Sequence, residues 1–275
     1  MNPDNLHLTI GDSFRRRLDS VFMMRRLLIR PGAIGDFIVS LPALESLMLS
    51  GGFTEVWCAT QNVPLARFAD GARSIASVGL DRLGITHADD VIERLRQFDD
   101  IISWYGENRP EFRELVAGMG LPFRFLRALP DATCHAMDFY ARQARGLGAN
   151  PQGNPGIACP VEPRTFAAIH SFASSKAKRA PMEVFESAAA KLGRTMPVHW
   201  LAGPEEDLPD AIRIADLYEL ACWLRGSRIF VGNDSGITHL AAAVGTPVIA
   251  FFQASDPKVW APRSSAIHTV PQISG

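Results

Sequence analysis

The sequence predicts an α/β protein made of two similar halves, each a mostly parallel sheet covered by helices. Three observations carry this. From Arg25 onward, short β-branched and aromatic runs alternate with helix-forming stretches. The segment 150–163, "NPQGNPGIACPVEP", then places four prolines and two glycines in fourteen residues, a composition that marks a boundary. Beyond it the alternation restarts and runs to "GNDSGITH" at 232–239. The expected organisation is an extension over 1–24, a first Rossmann-like unit over 25–150, a linker over 151–163 and a second such unit over 164–275. Two such units leave a cleft between the carboxyl ends of their strands, where doubly wound sheets bind ligands.

In the first unit, "RRLLIR" reads as a strand, "PGAIGD" as a turn and "FIVSLPALESLML" as one helix stopped by Gly51-Gly52. "TEVWCAT", "RSIASVG", "FDDIISWYG" and "PFRFL" follow as strands, with helices near 62–70, 88–97, 109–118 and 135–147. In the second unit, "TFAAIHS", "MPVHWLAG" and "RIFVG" are strands, and 181–192 and "DLYELACWLRGS" are helices. "GNDSGITH" then hands a buried strand to an Ala/Leu-rich helix that Gly245 caps, and Thr246-Pro247 open the apolar run "VIAFF". A turn at the carboxyl end of a parallel strand presents free backbone N–H groups of the next helix. That geometry favours an anion.

Composition narrows the class. The chain has 275 residues, 47% of them apolar, which is enough for a large core. With 28 Lys plus Arg against 29 Asp plus Glu, the net charge of −1 gives no electrostatic case for nucleic-acid binding. The four cysteines, Cys58, Cys134, Cys159 and Cys222, are far apart. That spacing suggests neither a disulfide framework nor a zinc site, and a reducing cytosol is the simplest home. No run has the length of a membrane span and no signal peptide is recognisable. The stretch "DSFRRRLDSVFMM" sets Phe14, Leu18, Val21 and Phe22 opposite Arg15, Arg16 and Arg17. Such a basic amphipathic segment can rest on an anionic surface, the cytoplasmic face of an inner membrane included. The alternatives are a plain extension, or a chain that naturally starts at Met24.

Two further stretches carry chemistry. In Pro31-Gly32-Ala33-Ile34-Gly35-Asp36, glycines permit a tight turn or a close approach, and Asp36 stands where a helix starts. Its plain role is a cap. The stretch matches neither the Walker loop nor the dinucleotide fingerprint. In "HSFASSKAKRAP" at 170–181, Ser174, Ser175, Lys176, Lys178 and Arg179 suit a phosphate group, against the plain reading of a solvated basic loop. His170 reads as a packed strand-end residue rather than a metal ligand.

Taken together, "RRLLIRPGAIGDFIVSLPALESL", "KRAPMEVFESAAAKLG", "LAGPEED" and "IFVGNDSGITHLAAAVGTPVIAFFQASDPKVWAP" resemble glycosyltransferase family 9, the ADP-heptose:lipopolysaccharide heptosyltransferases. The likeness spans roughly 25–262 and is thin between about 60 and 160. It implies a GT-B fold, two Rossmann-like domains facing a central cleft. It also implies Asp36 as general base, Lys178 as a contact of the donor diphosphate, and Asp234, Ser235, Gly236 and His239 as the element holding diphosphate and sugar. The chain departs from the family pattern at Ser171-Phe172, at Ala180 and over Gln253–Pro257.

The implied function is inverting transfer from a nucleotide-diphosphate sugar to an anionic, lipid-linked glycan such as the lipopolysaccharide core. The motifs call for neither metal nor organic cofactor, and the arginines at 15–17, 25–26, 109 and 113 are candidate acceptor contacts. The rival readings are a nucleotide-sugar-binding module without transfer activity, and a sugar-nucleotide epimerase of similar fold.

Overall fold

The computed structural model describes residues 23–85, 88–264 and 266–271. Residues 12–22 of the basic amphipathic stretch, Arg15, Arg16 and Arg17 among them, lie outside the described residues. Among the described residues, two five-stranded sheets, parallel throughout, form the framework. The first contains β1 (Arg25–Arg30), β2 (Phe53–Cys58), β3 (Gly71–Ser74), β4 (Asp100–Ser103) and β5 (Phe123–Phe125), in the order β3-β2-β1-β4-β5. The second contains β6 (Phe166–His170), β7 (Val198–Trp200), β8 (Ser227–Asn233), β9 (Val248–Phe251) and β10 (Ile267–Val270), in the order β10-β9-β8-β6-β7. Each order reverses once, between β1 and β4 and between β6 and β8. Crevices for ligands open at such reversals, outside the carboxyl ends of the strands.

Burial explains the strands. Leu27, Leu28 and Ile29 of β1 are wholly buried, as expected of a strand covered on both faces. One core cluster contains residues of both halves, from Leu28, Phe37 and Leu44 to Ala168, Leu220 and Leu240. Burying each large apolar side chain contributes about 1.5–3 kcal/mol, so this shared core holds the two sheets against each other. Separate clusters line the remaining faces, around Trp57 and Ile101 in one half and around Ile169 and Phe185 in the other. No helix among the described residues is long and apolar enough to cross a membrane.

Several expected elements take other forms. The single helix expected from Phe37 to Leu49 starts earlier and is broken into Ile34–Val39 and Leu41–Ser46. Ser40 separates them, and Pro42 is suited only to a helix's first turn. "RSIASVG" is half strand, half helix: β3 ends at Ser74, whose hydroxyl accepts the Ser77 N–H and starts the short helix Ile75–Val78. The helix expected near 62–70 is a 3₁₀ segment, Thr60–Leu65, with Pro64 inside it. β10 carries no alternation strong enough to read beforehand; it forms because β9 offers it a free edge.

Candidate active site

A cleft of about 670 Å³ opens between the halves. Its floor is the meeting of two helix starts. Gly236 begins the helix Gly236–Ala243, and a Cβ built on it would lie 2.6 Å from Ile34 Cβ and 3.2 Å from Gly35 N. Gly35 is pressed in return: a Cβ there would meet His239 Cδ2 at 3.2 Å. These glycines let the Asp36 turn and the "DSGITH" turn touch. The sequence suggests that Gly236 exposes N–H groups at the helix start; its missing side chain also serves the contact between halves.

Asp36 lines the cleft from the first half. It is the third residue of its helix rather than the cap, a position held by Ala33, and its Oδ2 accepts the Ala33 N–H at 3.1 Å. Gly32 sits behind it at φ +116°, where a side chain would be strained and would meet Asp36 Oδ2 at 3.1 Å. From the second half, Lys178 Nζ donates to Asp234 Oδ2 at 2.7 Å, and the Ser255 hydroxyl donates to the same oxygen. Asp234 is only 5% exposed, so both donors answer a carboxylate that would otherwise be costly to bury. Ser235 caps the Gly236–Ala243 helix by accepting the Thr238 N–H at 3.4 Å. The helix therefore starts before the Ala/Leu run, and His239 projects from its first turn into the cleft. Burial pushes the His239 imidazole down to about 4, even though Asp234 and Asp36 oppose this. It is neutral at pH 7.

The remaining candidates divide. Ser174 lines the cleft; Ser175 and Gly32 do not. Ser175 is exposed and precedes the 3₁₀ turn Lys176–Lys178, while Gly32 supports the turn from behind. His170 is 5% exposed and packed at the end of β6. Its Nε2 bonds Glu206 Oε2 at 2.9 Å, and that oxygen also accepts the Gly203 N–H at 2.6 Å. Burial pushes the Glu206 carboxyl up, but these bonds outweigh it and hold the group below the usual range. Arg25 and Arg26, candidate acceptor contacts, lie away from the cleft. They begin β1, the end opposite its cleft-facing terminus, where Arg25 lies 4.3 Å from the Phe53 ring centroid and Arg26 pairs with Asp100 at 2.6 Å.

Several cleft residues had no assigned role from sequence: Gln61, Leu129, Glu206, Trp260 and an apolar wall including Leu201, Ile214 and Leu220. Leu201 and Glu206 lie in "LAGPEED" and Trp260 in "DPKVWAP", within stretches already singled out but with no role attached to these residues. Gln61, Leu129, Ile214 and Leu220 come from distant elements with no motif of their own. Among the described residues, no group of three or more His, Cys, Asp or Glu side chains could hold a metal ion. The cleft therefore combines a carboxylate on one wall, a cation and a helix start on the other, and an apolar patch beside them. Such a set can hold an anion and move a proton.

A family model described as glycosyltransferase family 9 (heptosyltransferase) matches residues 136–273. No curated protein matches the chain. Among solved structures, a family 9 glycosyltransferase from Veillonella parvula is similar at TM-score 0.71 and 16% identity, covering 90% of this chain and 86% of that one. An ADP-heptose lipopolysaccharide heptosyltransferase II from E. coli is similar at TM-score 0.70 and 17% identity, covering 92% of each chain. The E. coli heptosyltransferase WaaC with ADP gives TM-score 0.65 at 15% identity, over 90% of this chain and 93% of that one.

Proposed function

The chain belongs to glycosyltransferase family 9, and on that premise we propose that it is a metal-independent, inverting heptosyltransferase acting on ADP-heptose and a lipopolysaccharide-core type of acceptor. One observation carries this reading. Asp36 on one half faces the same cleft as Lys178, Asp234 and the Gly236 helix start on the other. A hydroxyl of the acceptor attacks the anomeric carbon of the donor while the bond from that carbon to the diphosphate oxygen breaks. The proton goes to the Asp36 carboxylate, help typically worth about 10²–10⁴-fold. The departing diphosphate gains charge, which Lys178 and the N–H groups at the start of the Gly236–Ala243 helix meet without reorganisation. The apolar wall at Leu201, Ile214 and Leu220 suits the flat face of the nucleobase.

Transfer is tested by incubating the protein with ADP-heptose and deacylated lipopolysaccharide core, following ADP release and the mass of the glycan. Acceptor-dependent ADP release with a heptose added supports the reading. Tight ADP-heptose binding without turnover would make the protein a binding module. Conversion of the donor without acceptor would make it an epimerase.

A further inference from the structure

Arg30, the last residue of β1, is the exception in its strand. It follows three wholly buried apolar residues and is itself only 1% exposed. A buried guanidinium ordinarily finds a carboxylate. Arg30 forms no ion pair among the described residues. Its three nitrogens go instead to one short stretch of chain. Nη1 donates to the Pro31 carbonyl at 2.7 Å, Nη2 to the Asp36 carbonyl at 2.9 Å, and Nε to Ser40 Oγ at 3.1 Å. Pro31 and Asp36 are the two ends of the turn, and Ser40 closes the helix that Asp36 helps to begin.

The guanidinium is also held from behind. Its carbon lies 4.6 Å from the centroid of the wholly buried Tyr140 ring, and the Tyr140 hydroxyl is fixed by donating to the Ala128 carbonyl at 2.8 Å. Gly32 lies close to both groups: a Cβ on it would be 3.5 Å from Arg30 Nη1 and 3.1 Å from Asp36 Oδ2. The guanidinium, the Gly32 backbone and the Asp36 carboxylate thus crowd one another, with no room for a side chain at Gly32. Asn62 adds a second tie, its Nδ2 donating to the Gly32 carbonyl at 3.2 Å.

We propose that Arg30 is a positioning residue for Asp36: its planar fork clamps both ends of the 31–36 turn and so aims the carboxylate into the cleft. The proposal rests on the reading of Asp36 as the base of the transfer. A flat guanidinium can bond two carbonyls and a hydroxyl while stacking on an aromatic ring. A lysine ammonium keeps the charge but is a single point on a flexible stem. An aliphatic residue keeps neither. The donor side of the cleft belongs to the other half of the chain, so nucleotide binding is not routed through Arg30.

The test compares wild type, Arg30→Lys and Arg30→Met, measuring ADP affinity by calorimetry and kcat with ADP-heptose and deacylated core. The expected order of kcat is wild type, then Lys, then Met, with Met down by about tenfold or more, since small misplacements of a reacting group are costly. ADP affinity is expected to stay within about twofold in both. Wild-type kcat in both variants, or an ADP affinity falling in step with kcat, would overturn the proposal. If the Met variant does not fold, the Lys variant decides: it must lose kcat while keeping ADP affinity. If wild type transfers nothing, the transfer reading fails separately. The clamp is then judged from a crystal structure of Arg30→Lys. Loss of the Asp36 Oδ2 to Ala33 N–H contact is expected, and its persistence would refute the clamp.

Discussion

Lys178 Nζ and Asp234 Oδ2 lie 2.7 Å apart, across the space between the 170–181 loop and the end of β8. The lysine is a third exposed while the aspartate is buried, so an incoming diphosphate can share the cation without stripping the carboxylate of its Ser255 bond. Lys178→Ala should weaken ADP binding by about 1.5–3 kcal/mol, the range for hydrogen bonds to charged groups. Calorimetry checks this, and an unchanged affinity would remove Lys178 from the donor site.

Asp36→Asn separates a structural from a chemical role. The amide oxygen can still accept the Ala33 N–H that Asp36 holds at 3.1 Å, so melting temperature and ADP affinity should hold. Turnover should fall by about 10²-fold or more, because an amide cannot take the proton. A variant within a few-fold of wild type at saturating substrates would end the general-base assignment.

Gly236→Ala should be harmless to an isolated helix, where alanine is favoured. Here its Cβ would meet Ile34 Cβ at 2.6 Å, so the two halves must shift apart. The expected outcome is a lower melting temperature and reduced turnover, partly restored by adding Ile34→Gly. Full activity in the single variant would show that the cleft does not need this contact.

His239 predicts a pH dependence of stability. Burial holds its folded pKa at about 4, below the value of about 6.5 in an unfolded chain. Between those values the unfolded state binds more protons, so stability is complete above about pH 6.5 and declines as pH falls toward 4. The loss attributable to this group is on the order of 3 kcal/mol. Melting temperatures of wild type and His239→Gln, compared from pH 4 to 7, should converge toward the acid end. Parallel curves would mean that His239 is not held neutral by the fold.

Much of this was legible in the chain itself. Apolar runs long enough only for strands, helix-forming stretches between them and a proline-rich break determined an α/β protein in two halves. The turn chemistry of "PGAIGD" and "DSGITH", glycines and an acid at strand ends, determined which residues were candidates, because backbone conformation and helix starts are local properties. Tertiary structure decided the rest. Ile214 and Leu220 of the apolar wall lie outside every motif, and the Glu206–His170 pair joins two stretches, "LAGPEED" and "HSFASSKAKRAP", that nothing local brings together. Arg25, Arg26 and Arg30 are all arginines of one strand, yet the first two brace its far end and the third backs the cleft. Sequence gives each the same charge; only the strand's direction and the sheet order decide what that charge meets. Gly236 likewise reads as an open turn until Ile34 is brought against it, because contact between halves depends on packing far apart in the chain.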